Sequence, residues 1–62
     1  MHLLRMIEIF LKETGIAPTR FGRDAVRDPR LVHDMRRGRE PGKRMRRRVE
    51  HFVNTYRRGT GA

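Results

Sequence analysis

Four polar residues in the middle of the chain have types and spacing suited to hydrogen-bond recognition. Arg30, Asp34 and Arg37 stand at i, i+4 and i+7, which is one side of an α-helix, and His33 lies beside that row. An arginine fork can donate twice to the acceptor pair on a guanine edge, and a carboxylate can accept from a cytosine amino group. The same residues also make a plain solvated face, on which an Arg30–Asp34 pair contributes about 0.3–0.5 kcal/mol. Their setting favours recognition. Residues 18–38, PTRFGRDAVRDPRLVHDMRRG, read as a short helix, a sharp turn and a second short helix that carries the row on its outer side.

A second cluster, Lys43, Arg44, Arg46, Arg47 and Arg48, opens what reads as the last helix. Helix N-termini carry partial positive charge, so each cation there is unfavourable by about 0.3–1 kcal/mol at low salt. The five also repel one another. Selection for helix stability alone would place Asp or Glu in that turn, whereas a phosphate backbone would relieve both penalties. Thr19 and Arg20, near the start of the preceding short helix, are further phosphate candidates, with Arg23 beside them. Arg27, Arg36 and Arg39 flank the polar row, where they could grip the sugar-phosphate edge. For any one of these, a solvated surface charge is the simpler assignment, and their clustering is what points to a polyanion.

The composition agrees. Sixteen Lys and Arg stand against seven Asp and Glu, for a net charge of +9 in 62 residues. Residues 1–18 sum to zero, so the whole excess lies in residues 19–62. Arginine outnumbers lysine fourteen to two, which suits bidentate contacts with phosphate or guanine. There is no cysteine, hence no disulfide and no thiolate metal site. His2, His33 and His51 have no neighbours at ligand spacing, and neither a phosphate-binding glycine loop nor a nucleophile elbow is present. The expectation is a protein without cofactor or metal, not an enzyme. No apolar run approaches the roughly 18 residues of a membrane span, and the expected location is cytoplasmic, at the nucleoid.

These side chains need a scaffold, and apolar periodicity supplies one. Leu3, Leu4, Ile7, Phe10 and Leu11 form the stripe of a first helix over 2–14, closed by Thr14-Gly15, with Ile16 folding back. Pro18 opens a second helix over 18–25, with Phe21 and Ala25 inward and Gly22 small enough for close contact. Asp28 caps a third helix that Pro29 opens, Leu31, Val32 and Met35 face the core, and Gly38 ends it. A fourth helix over 42–57 buries Met45, Val49, Phe52, Val53 and Tyr56. The fold class is all-α, a compact four-helix helix-turn-helix domain over 1–58 with a frayed tail at 59–62. Leu4, Met6 and Ile9 sit at the edge of the first stripe, where a partner could cover them.

Residues 16–56 resemble the lambda-repressor-like helix-turn-helix superfamily of phage repressors and Cro proteins. Phe21-Gly22 matches the family's buried leucine-alanine pair, Asp28 its polar cap, Val32 and Met35 its inward aliphatics, and Gly38 its terminal glycine. The run RFGRDAVRDPRLVHDMRRGREP is also similar to short alphaproteobacterial helix-turn-helix proteins. The family's turn glycine falls at Val26 here, and Pro29 and Arg30 replace its usual glutamine or serine. The resemblance implies a sequence-specific regulator of transcription that binds double-stranded DNA. Arg30, His33, Asp34 and Arg37 would then read bases in the major groove, while Thr19, Arg20, Arg39, Lys43, Arg44, Arg47 and Arg48 hold phosphates. Such domains commonly act as homodimers on paired half-sites, and the first helix could supply the contact. Two alternatives stay open. One is an arginine-rich RNA binder. The other is an adaptor docking on RNA polymerase or a phage packaging protein.

Overall fold

The computed structural model describes the backbone of residues 2–61 and the side chains of residues 2–59. Its helices are α1 (Leu3–Thr14), α2 (Pro18–Val26), α3 (Leu31–Arg36) and α4 (Lys43–Gly61). No strand occurs among the described residues. The architecture is the all-α, four-helix one that the periodicity predicts. α2 packs against both α3 and α4, and α1 lies against α3.

Each helix end has a local cause. Gly15 takes φ 75°, and its amide donates to the Leu11 carbonyl at 2.8 Å. The Thr14 hydroxyl donates to the Phe10 carbonyl and accepts the Ile16 amide, which turns half-buried Ile16 back onto the core. α2 begins with Pro18 and no side-chain cap, since Ala17 has no oxygen to offer. It ends one residue later than expected, because Val26 is core rather than turn, only 7% exposed. The left-handed residue is the next one, Arg27, at φ 58° and ψ 32°. An L-residue there costs about 1–2 kcal/mol, and glycine would not. The amides of Arg27 and Asp28 fold back on the carbonyls of Arg23 and Gly22, at 2.9 and 3.0 Å.

Gly22 fixes how closely that turn sits. A Cβ added there would overlap the Asp28 carbonyl oxygen and come within 3.2 Å of the Leu31 Cβ. The turn backbone therefore lies directly on α2, which sets the start of α3. Asp28 is not the cap of α3, whose N-cap is Arg30 with no side-chain cap; it instead fixes the turn before the helix. Its Oδ1 accepts the Arg30 amide at 3.1 Å, and its carbonyl accepts the Leu31 amide at 3.1 Å. Pro29 and Arg30 are thus a turn, and α3 starts at Leu31 instead of Pro29. Gly38, at φ 112°, closes α3 and frees the chain to double back. The Arg39 amide then reaches the Asp34 carbonyl at 2.9 Å.

The core is the set of stripes brought face to face. Ile7, Phe10, Phe21, Leu31, Val32 and Val49 have no exposed surface. All four aromatic residues of the chain meet in one cluster. Phe10 lies 5.5 Å from Phe21, 6.3 Å from Phe52 and 5.2 Å from Tyr56, between ring centres. Most of these contacts are edge-on, the arrangement ring quadrupoles favour. Two ion pairs brace the outside. Arg36 holds Glu8 through two hydrogen bonds, at 2.6 and 3.0 Å, and ties α3 to α1. Arg57 holds Glu13 at 2.9 Å and ties α4 to α1. α4 stays helical as far as Gly61, past the end expected at 57. The frayed tail expected at 59–62 lies partly outside the described residues.

Candidate nucleic-acid interface

α3 is amphipathic to its limits. Leu31, Val32 and Met35 are buried against α1 and α2, and this forces the remaining positions outward. Arg30, His33, Asp34, Arg36 and Arg37 line one shallow depression of about 470 Å³ on the outer side of α3. The four residues proposed from spacing therefore do come together, and Arg36 joins them at the edge. Their states differ. Arg30 and Arg37 make no ion pair with any described residue. Asp34 is held by Arg39 at 3.3 Å rather than by Arg30, its i−4 neighbour. Arg36 is committed to Glu8.

Arg39 is the residue whose surroundings the sequence did not reveal. Its Nη1 donates to Asp28 Oδ2 at 2.8 Å and to Asp34 Oδ2 at 3.3 Å, and its Nη2 lies 3.8 Å from the Met45 sulfur. One guanidinium thus joins the turn before α3, the middle of α3 and the first turn of α4. The hydrogen bond from Arg39, with the Arg30 amide, holds the Asp28 carboxyl below the usual carboxylate range, and Asp28 in turn raises Arg39. Arg36 lowers Glu8 in the same way, and Glu8 raises Arg36. Both carboxylates therefore stay ionised to lower pH than unpaired ones would.

The other phosphate candidates sit on two helices. Thr19 and Arg20 are exposed in the first turn of α2, and Arg20 makes only a loose 3.5 Å contact with Asp24, with 66% of its side chain exposed. Lys43, Arg44, Arg47 and Arg48 are all exposed on α4. They occupy i, i+1, i+4 and i+5, the side away from buried Val49 and Val53. None has an ion-pair partner among the described residues, and the first turn of α4 has no acidic residue. Arg47 and Arg48 border an open groove of about 390 Å³ against Asp24 and Ala25 of α2, with half-buried Phe52 and also His51 and Thr55. Arg46 lies apart, beside a cavity with His2, Glu40 and Pro41.

The arrangement offers two unpaired arginines at the ends of the short helix α3 and a block of uncompensated cations on α4. Among the described residues no helix is long and apolar enough to cross a membrane. Comparison with protein-family models, curated proteins and solved structures gave no match to this chain.

Proposed function

We propose that the protein binds double-stranded DNA sequence-specifically and acts as a transcriptional regulator. In this account α3 lies in the major groove, with Arg30 and Arg37 as the principal base readers and His33 and Asp34 beside them. Thr19, Arg20, Lys43, Arg44, Arg47 and Arg48 grip the backbone. The single observation behind it is that Arg30 and Arg37, which flank α3 as its N-cap and C-cap, make no ion pair with any described residue although Asp34 lines the same depression. A merely soluble surface gains nothing from keeping two arginines off an acid that shares their depression.

An RNA-binding role requires the basic start of α4 and makes α3 dispensable, since folded RNA is gripped through shape and phosphates. Alanine substitutions separate the two. Arg30→Ala with Arg37→Ala should abolish preference among duplex sequences while leaving bulk affinity within a few-fold. Arg47→Ala with Arg48→Ala should weaken all duplexes alike. If the first pair lowers every sequence equally, α3 does not read bases.

A further inference from the structure

Resting on the duplex-DNA reading above, we infer that Arg39 is a positioning residue: it holds the Asp34 carboxylate off Arg30 and Arg37, and so keeps both readers free for DNA. Asp34 lies four residues after Arg30 and three before Arg37, which flank α3 as its N-cap and C-cap, and all three line the same depression. Neither pair forms. Asp34 Oδ2 turns instead to Arg39, 3.3 Å away in the loop after α3.

That loop is anchored independently of the Asp34 carboxylate. The same nitrogen of Arg39 makes its shorter bond, 2.8 Å, to Asp28 Oδ2, and Asp28 is itself fixed through the Arg30 amide. The backbone amide of Arg39 adds a bond to the Asp34 carbonyl at 2.9 Å. Its side chain is 37% exposed, less open than an arginine projecting freely from a loop. A guanidinium engaged by two carboxylates is a poor phosphate ligand, because a phosphate would have to displace both. It is a good internal counter-ion, cancelling the negative charge that would otherwise stand in the recognition face.

Removing Arg39 should release Asp34 onto a neighbouring reader. The test is a four-protein cycle: the full chain, Arg39→Met, Asp34→Ala and the double variant, with Met chosen to keep the aliphatic bulk. The probe is the duplex that the unmodified protein enriches most from a randomised library, followed by anisotropy. Arg39→Met should weaken binding at least about tenfold when Asp34 is present and less than about threefold when it is absent. A phosphate-contact role predicts equal losses in both backgrounds and a log–log salt slope reduced by about 0.9, and that result overturns the inference.

A second readout needs no DNA. Exchange of the Arg30 and Arg37 Nε–H protons, followed by NMR, should slow for one of them in Arg39→Met and return in the double variant. Unchanged exchange in the folded Arg39→Met protein also overturns the inference. Failure of the unmodified protein to enrich any duplex refutes the functional reading instead, and the exchange measurement still decides the role of Arg39. Should Arg39→Met not fold, Arg39→Lys serves: a single ammonium cannot match the fork, and the same coupling to Asp34 is expected in reduced form.

Discussion

Gly22→Ala should be among the most damaging single-methyl additions this chain can suffer. The added Cβ would overlap the carbonyl oxygen of Asp28, a backbone atom that cannot swing aside as a flexible side chain would. Relief requires the turn to lift off α2. Lifting it strains two bonds, from the Asp28 amide to the Gly22 carbonyl at 3.0 Å and from the Leu31 amide to the Asp28 carbonyl at 3.1 Å. Each is worth about 1 kcal/mol net, and forcing a methyl into a packed contact costs about 1–3 kcal/mol. Ala's better helix propensity returns up to about 1 kcal/mol. The expected net loss is about 2–4 kcal/mol, against a total stability of about 3–9 kcal/mol for a domain of this size. Urea unfolding followed by circular dichroism measures it. Gly59→Ala, which faces open space in α4, is the control and should be neutral or slightly stabilising. If Gly22→Ala unfolds within about 0.5 kcal/mol of the parent, the turn does not rest on α2 as described, and the placement of α3 is wrong.

Three further outcomes are expected. Arg27→Gly, which removes a side chain from a left-handed position, should raise stability by up to about 1 kcal/mol after the extra unfolded-state freedom of glycine is counted; a loss in the same urea assay contradicts the assigned conformation. Glu8 and Asp28 have folded-state pKa values below their unfolded ones, so the stability they add is complete above the ordinary carboxylate range, near about pH 4, and is lost as pH falls through the folded values. The melting midpoint should drop on acidification, and Glu8→Gln with Asp28→Asn should flatten that drop; an equally steep drop in the double variant rules out these two ion pairs as its source. If Arg20, Lys43, Arg44, Arg47 and Arg48 each neutralise one phosphate, affinity for a duplex should fall with salt at a log–log slope of about −4 to −5, and a slope near zero excludes the proposed grip.

Local signals were legible and crossings between distant segments were not. The α1 stripe, Gly15, Pro18, Gly22 and Gly38 each act through near neighbours, so residue type was enough to place four helices and most of the core; Val26 is buried without having been expected there, and Leu4, Met45, Phe52 and Tyr56 are only partly buried. The left-handed residue at Arg27 was not foreseen, because arginine gives no hint of positive φ. Asp28-Pro29 suggested a cap and a first helical residue, but the two begin a turn that moves the N-cap to Arg30 and the α3 start to Leu31. Gly59 and Gly61 argued for fraying where the α4 backbone remains helical. At the candidate interface, the helical period found Arg30, His33, Asp34 and Arg37 on one side. It could not find that Asp34 turns to Arg39, or that Arg36 turns to Glu8 across 28 residues. Those choices depend on how the loop after Gly38 returns and how α3 lies on α1. The available signal for Arg39 was indirect: a lone arginine just past a helix-ending glycine, within reach of the carboxylate that precedes it by one turn.

Selection of a randomised duplex library by the purified protein, in competition with bulk DNA and RNA, tests the central claim most directly. The account predicts enrichment of one short sequence containing guanines, lost on Arg30→Ala with Arg37→Ala but kept, at lower affinity, on Arg47→Ala with Arg48→Ala. Uniform recovery of all duplexes, collapsing together as salt rises, would contradict it.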